Sequence, residues 1–338
     1  MNEKNEFLPF VSICTPTFNR RPFIPMMLKC FDNYNYPKDK MEWIIIDDGT
    51  DKIEDLVSHI PQVKYFKFEK KMTLGKKRNL AHQQCKGEYI LYMDDDDYYP
   101  PERVYHAIET LRNNPNALCS GSSIIYTYFK HIGKMIKFGP YGANHSTAAT
   151  FAFKKELLKL TSFDDNACVA EEKHFLKNYT IPFVQLDPMK SILVFSHIHN
   201  SFDKKLLLKD QNDFVNVSTI EVNDFIKDDS IKEFFMKDID DILDKYQPGK
   251  IENKPDVIKQ IHEIKVKRDK MIDDYNKGEL INRQNTIIVD YEGRLNQMNI
   301  LTQELTIENG LLKDKVNYYD DKIKKLVQEL IFMRKNVK

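Results

Sequence analysis

The run at residues 89–93 (YILYM) is apolar throughout, ends in four consecutive aspartates at 94–97, and is followed by Tyr98, Tyr99, Pro100 and Pro101. A short apolar run that stops this sharply reads as a buried strand, and two prolines continue neither a strand interior nor a helix. The four acids therefore fall at the edge of a sheet. Adjacent carboxylates stay ionised together only if they are solvated or neutralised, and a hard divalent cation with oxygen ligands is the usual neutraliser. A solvated acidic turn is the competing reading. An EF-hand loop starting at Asp94 is excluded, because it needs an oxygen ligand where Tyr98 stands and a glycine where Tyr99 stands.

The same grammar recurs upstream. Residues 10–14 (FVSIC) form a strand ended by Thr15 and Pro16, and a helix with Ile24, Met27, Leu28 and Phe31 on one face follows. Residues 43–46 (WIII) form a second strand, which ends in Asp47, Asp48 and Gly49 and leads to a short helix over 51–60. Near-continuous apolar strands alternating with helices predict a parallel sheet covered on both faces, whose ligands bind at the carboxyl ends of the strands. Thr15, Asp47, Asp48 and the 94–97 acids all lie at such ends. A further strand at 63–68 precedes 74–81 (LGKKRNLA), where Lys76, Lys77 and Arg78 stand at a helix start beside Gly75, an arrangement that suits a phosphate. It is not a P-loop, and no GxGxxG occurs in the chain.

Four segments taken together, 11–19 (VSICTPTFN), 43–50 (WIIIDDGT), 74–81 (LGKKRNLA) and 87–104 (GEYILYMDDDDYYPPERV), resemble in order and spacing the signatures of the inverting nucleotide-sugar-dependent glycosyltransferases with the GT-A fold, a family 2-like group that includes cellulose, chitin and hyaluronan synthases. The resemblance covers roughly residues 8–200. It implies an α/β, Rossmann-like, mostly parallel sheet with helices on both faces. It assigns Thr15 and Pro16 to the nucleotide pocket and Asp48, oriented by Asp47, to the base. Lys77, Arg78 and Asn79 would meet the nucleotide and its phosphates. The family's DxD falls on Asp94, Asp95 and Asp96, with Asp94 at the ribose and Asp96 ligating a divalent metal, Mn2+ or Mg2+. Inversion needs a carboxylate to take the acceptor's proton. The pair Glu171 and Glu172 resembles the family's acidic pair. Glu172 stands where the base usually is, although a glutamate replaces the commoner aspartate, and the role stays open between the two. His197 and His199, after the apolar strand 192–195, are alternative metal ligands. The residues around Gly133 and Gly142 read as a hairpin and loop placed as a lip for donor sugar or acceptor.

Past Asn200 the composition changes. Residues 206–250 carry helical stripes such as Ile231, Phe234, Phe235, Ile239 and Leu243, and are expected to form a helical extension packed on a catalytic domain spanning 8–205. From Ile288 to Met333 apolar residues recur at alternating spacings of three and four, with Thr302 and Asn309 as the polar members of the seam. This predicts a coiled coil within 255–338 and a parallel homodimer. An earlier seam (Val257, Ile261, Ile264, Met271, Tyr275) is out of register and is expected to break near Lys277 and Gly278. A single helix folded back on the catalytic domain is the alternative.

Composition narrows the function. The 51 basic and 51 acidic residues cancel, which argues against nucleic acid as the partner. Five cysteines without CxxC spacing fit neither a disulfide framework nor a structural zinc site. No stretch approaches the roughly 20 apolar residues of a membrane span, and no signal peptide is evident, so a cytoplasmic protein is expected. The function expected is transfer of a sugar from a nucleotide sugar, a UDP-sugar by preference, to a hydroxyl of a glycan, protein or other acceptor. Two readings compete: an inert GT-A-like domain carried by a coiled-coil scaffold, and a nucleotidyltransferase. The latter is disfavoured by the absence of glycine after the first strand.

Overall fold

Four apolar runs become adjacent parallel strands: β1 (Val11–Thr17), β2 (Met41–Asp47), β3 (Val63–Lys67) and β4 (Tyr89–Tyr92). Successive side chains of a strand point to opposite faces, and here both faces are covered. Ile13, Ile45 and Leu91 enter one core, and Cys14, Ile44, Ile46, Ile90 and Tyr92 enter another. Helices α1 (Ile24–Asn33), α2 (Glu54–Val57) and α4 (Arg103–Asn113) supply the first core, while α3 (Leu74–Gln84) and α5 (Glu172–Phe175) supply the second. Trp43 stacks on Phe31 of α1 with centroids 4.5 Å apart. This computed structural model describes residues 8–208 and 212–335.

Three short strands, β5 (Cys119–Gly121), β8 (Ala152–Lys154) and β9 (Phe183–Gln185), complete a seven-stranded sheet of order β3-β2-β1-β4-β8-β5-β9. Only β8 runs antiparallel to its neighbours. A second sheet of four strands joins β10 (Leu193–Ser196), β6 (Ile125–Phe129), β7 (Lys134–Phe138) and β11 (Val215–Val217) in that order. The mostly parallel α/β architecture expected from the sequence is present, and the hairpin expected around Gly133 is the β6–β7 pair.

The 206–250 stretch is not helical alone, since it contributes β11 to the second sheet. Its helices are α6 (Val222–Phe225), α7 (Asp229–Glu233) and α8 (Ile239–Lys245). They bury Phe225, Ile231, Ile239 and Leu243 in the first core, and the π-helical turn Phe234–Asp238 adds Phe235. Asp228 caps α7 by accepting from the backbone N–H groups of Ser230 and Ile231.

The chain divides into two compact units, the first ending at Glu263 and the second beginning at Ile264. The final helix, α9 (Pro255–Lys335), starts within the first unit, with proline at its first position, where no N–H is needed. Within the second unit the seam residues, among them Ile288, Leu295, Leu305, Leu312, Ile323 and Leu330, are all exposed. The helix itself runs on through Lys277 and Gly278, where the earlier seam ends. An exposed helical glycine costs only about 1 kcal/mol, too little to end a helix of 81 residues. Among the described residues no helix is long and apolar enough to cross a membrane.

Candidate active site

Parallel pairing brings the strand ends together. Thr17 of β1 sits opposite Asp47 of β2, and Cys14 opposite Tyr92 of β4, so the residues after each strand emerge along one edge. A cleft of about 460 Å³ opens there, lined by Pro16, Arg20, Lys77, Arg78, Glu171, Lys204, Lys254 and the acids at 94–97. That volume is in the range of small-molecule sites, roughly 300–1,000 Å³.

Arg78 is the hub. It is 2% exposed, donates from Nε to Glu171 Oε1 at 3.1 Å and reaches Asp94 Oδ1 at 3.5 Å. Its guanidinium lies over the Tyr92 ring, 4.2 Å from the centroid. Burial disfavours its charge, but Asp94 and Glu171 outweigh burial and hold it firmly cationic. Arg78 Nη1 and Asp94 Oδ1 are buried without a hydrogen-bond partner, the condition of polar groups that a ligand would satisfy.

Arg20 is a second hub that sequence reasoning missed. Its Nη2 meets Asp96 Oδ2 at 3.0 Å and its Nε lies 3.5 Å from Asp95. Burial works against the Asp96 charge, yet Arg20 and then His197 hold the carboxyl well below the usual carboxylate range. Asp94, Asp95 and Asp97 go the other way, raised by burial first and by the neighbouring acids. Both Arg20 and Glu171 follow a residue in the left-handed region, Asn19 at φ 53° and Ala170 at φ 54°. Asparagine tolerates that conformation and alanine does not, so the backbone before Glu171 carries strain of the kind found at functional sites.

Asp96 and His197 converge, with Oδ2 and Nε2 3.2 Å apart. Burial lowers the His197 pKa to about 4, which leaves a neutral imidazole at pH 7. A carboxylate oxygen beside a neutral imidazole suits a manganese-like ion. Among the described residues no three such groups converge, Arg20 Nη2 shares the same Asp96 oxygen, and His197 Nε2 also meets Asn200 Nδ2 at 2.8 Å. An ion here would therefore have to displace these partners and take its other ligands from a substrate's phosphates and water, the common pattern for Mg2+ at phosphate sites. His199 is placed elsewhere: both ring nitrogens lack partners, and Gly249 packs so closely on Nδ1 that a side chain there would overlap it.

Other expected residues take structural partners. Thr15 donates to Met93 O and accepts from Trp43 Nε1, within the sheet. Asp47 is saturated by the N–H of Gly49, the N–H of Ile53 and the Tyr65 hydroxyl. Asp48 is buried behind Lys77, whose Nζ lies 2.8 Å from its Oδ1. Asn79 binds the backbone N–H and C=O of Phe163, away from the cleft. Gly75 admits the loop carrying Asp164 rather than a ligand, because a Cβ would lie 2.0 Å from Asp164 O. Pro16, Lys77, Arg78, the 94–97 acids and Glu171 are the expected residues that do line the cleft.

Glu172 opens α5 beside Glu171. Burial first, and the Glu171 charge second, push its carboxyl up to about 7. Lys254, at the start of α9, is the other residue that local sequence does not reveal. It is 5% exposed, donates to Ser201 Oγ at 3.1 Å and lines the cleft. Burial and Arg20 lower its pKa to about 7. The first turns of α9 also tie down the loop before Glu171: Gln260 Oε1 accepts from the N–H groups of Cys168 and Val169, and Asp256 pairs with Lys71.

Residues 12–170 match the family model described as glycosyl transferase family 2. An uncharacterised glycosyltransferase of Haemophilus influenzae is 27% identical over 107 residues, which cover 31% of this chain and 36% of that protein. The poly(ribitol-phosphate) beta-N-acetylglucosaminyltransferase TarS of Staphylococcus aureus is 31% identical over 101 residues, 28% of this chain and 18% of that one. The chain thus spans well under half the length of both relatives. A crystal structure of S. aureus TarS 1–349 in complex with UDP-GlcNAc superposes with a TM-score of 0.45 at 20% identity, covering 55% of this chain and 58% of the other. The likeness to glycosyl transferase family 2 thus lies in residues 12–170, just under half of the chain.

Proposed function

We propose that the first unit transfers a sugar from a nucleoside diphosphate sugar, with a UDP-sugar as the favoured donor, to an acceptor hydroxyl with inversion at the anomeric carbon. The observation that carries this is the Arg78 hub, which joins the Asp94 acid run to Glu171 in one cleft that also holds Arg20 and Lys254. Glu172, next in the chain to the cleft-lining Glu171, takes the acceptor's proton, and its carboxyl at about 7 is poised for that at neutral pH. The acceptor oxygen then bonds to the anomeric carbon from the side opposite the phosphate. The old carbon–oxygen bond breaks, and its electron pair stays on the departing diphosphate. Arg20 and Lys204 bring positive charge to the cleft, and Lys254, with its pKa near 7, adds a donor there. Asp96 and His197 would hold a divalent cation, Mn2+ or Mg2+, which supplies neutralisation of the leaving phosphate. The match to family 2 supports this reaction class.

Incubation with a panel of UDP-, GDP- and TDP-sugars and Mn2+ tests it. Release of the nucleoside diphosphate by the wild type and none by Glu172→Gln is expected. Absence of release and of nucleotide binding across the whole panel would overturn the reading.

The second unit is proposed to pair with a second copy as a parallel two-stranded coiled coil. Its seam is exposed along the whole described helix, and an isolated helix gains little stability in water without tertiary burial. Asn309 at an a position favours a parallel dimer, in which the two amides meet. The g-to-e pairs across such a dimer, Glu308 with Lys313 and Lys315 with Asp320, are attractive.

A further inference from the structure

Beside the cleft, and unused by the chemistry above, four rings make a continuous ribbon. Phe214 and Tyr141 lie with centroids 5.3 Å apart, Tyr141 and His145 at 5.0 Å, and His145 and Tyr179 at 5.2 Å. Tyr141 and Phe214 leave 44% and 45% of their surfaces in solvent, and the other two rings are partly exposed. Two of its rings connect it to the proposed chemistry. Tyr141 lines the cleft. Tyr179 feels Glu172: burial first, and that carboxylate second, raise its phenol.

The ribbon is also held in place before any ligand arrives. Ser123 Oγ accepts from the N–H groups of Tyr141 and Gly142 at 2.7 and 3.1 Å. Gln185 Nε2 donates to the carbonyls of Ala143 and His145 at 2.7 and 2.9 Å, while its Oε1 accepts from Ser123 N. Asn144 donates to Tyr179 O. Tyr179 ends three successive residues in the left-handed region, Lys177, Asn178 and Tyr179 at φ 48°, 55° and 63°, a costly conformation that persists only where the surroundings impose it. Rigid, exposed aromatic rings bind with little ordering cost.

The chemistry of the ribbon selects its occupant. Residues 139–147 (GPYGANHST) contain rings and small polar side chains but no leucine, isoleucine, valine or methionine, whereas a surface for an apolar peptide would present aliphatic pockets. A pyranose has one face of C–H bonds, positively polarised, and a rim of hydroxyls. The C–H face suits the negative face of an aromatic ring, and the rim suits carbonyls and amides between the rings.

We propose that this ribbon is the acceptor subsite, and that the acceptor is a carbohydrate chain whose pyranose rings stack on Phe214, Tyr141, His145 and Tyr179 with a terminal hydroxyl directed to Glu172. This rests on the transferase reading above and names its second substrate.

Two measurements on the full chain test it. Saturation-transfer NMR with chitohexaose, maltohexaose and cellohexaose reads binding without any donor: at least one oligosaccharide binds the wild type, and Tyr141→Ala and Phe214→Ala each weaken it by roughly tenfold, while Tyr141→Phe binds as the wild type does. Transfer assays with the same oligosaccharides, a serine-containing peptide and ribitol phosphate read turnover, and the alanine variants raise the acceptor KM for the oligosaccharide far more than they change kcat. The proposal is overturned if none of the three oligosaccharides binds, if the alanine variants bind them as the wild type does, or if the peptide or ribitol phosphate is the preferred acceptor with a KM that both variants leave unchanged. Failure of the transferase reading is separate, since it shows as absence of nucleoside diphosphate binding and release whatever the acceptor.

Discussion

Replacing Arg78 with methionine keeps an apolar stem and removes both the guanidinium over Tyr92 and the charge that two acids share. Breaking a buried ion pair costs about 3–5 kcal/mol, because the partner is left charged and unpaired. The Glu171 contact at 3.1 Å joins side chains 2% and 6% exposed and enters in full. The Asp94 contact is longer, 3.5 Å, with the acid about a quarter exposed, and enters at a discount. The expected loss is about 4 kcal/mol at pH 8, which lowers Tm by roughly 8–16 °C for a domain of this size. The pH dependence has a definite sign. Without Arg78 the Asp94 carboxyl, already raised by burial, rises further above its unfolded value, so the folded state binds more protons and the variant loses stability as pH rises. Urea unfolding at pH 5 and pH 8 reads this directly, with the smaller loss at pH 5. Adding Glu171→Gln to Arg78→Met should recover most of the loss. A loss under about 1 kcal/mol at pH 8, well below the cost of a broken buried pair, or equal losses at both pH values, would refute the hub.

Three further outcomes follow from the geometry. Because Glu172 sits near 7 and works as the deprotonated base, kcat should rise with pH through about 7 and fall tenfold per unit below it; a rate that stays level down to pH 5 would remove Glu172 from that role. Lys254→Met should weaken UDP binding by about tenfold, the loss of one hydrogen bond from a charged group, and leave uridine binding unchanged, as read by calorimetry; equal weakening of both would make Lys254 a structural residue. Sedimentation should find a dimer at micromolar concentration, and Asn309→Ile should give higher oligomers or mixed orientations; a monomeric full-length chain would exclude the pairing.

How much of this was legible depends on how local the signal is. Strands β1 to β4 are apolar runs ended by proline or by acids, so their order and their functional edge can be read from the chain. The second sheet cannot, because β10 pairs with β6 and β11 with β7 across segments that carry no reciprocal pattern. Among the site residues, the 94–97 acids, Arg78 and Glu171 announce themselves by type and position. Whether an acid at a strand end faces a ligand or is saturated by its own fold is a tertiary fact: Asp47 is taken up by Tyr65 and two backbone N–H groups. Arg20 and Lys254 are hidden for a related reason. Nothing in a local window tells a buried cation from a solvated one among 51 basic residues. The strain at Ala170 likewise appears only in the backbone.

The central claim is that one cleft holds a nucleoside diphosphate through the Asp96 side and delivers an acceptor to the Glu171 and Glu172 side. Calorimetric titration of UDP into the wild type, Asp96→Ala and Glu172→Gln, each with Mn2+ and with EDTA, tests it most directly. The account predicts that Mn2+ strengthens UDP binding in the wild type and in Glu172→Gln alike, and that Asp96→Ala loses this metal-dependent gain while remaining folded. Binding indifferent to Mn2+ in all three proteins, or lost equally in Glu172→Gln and Asp96→Ala, would contradict it.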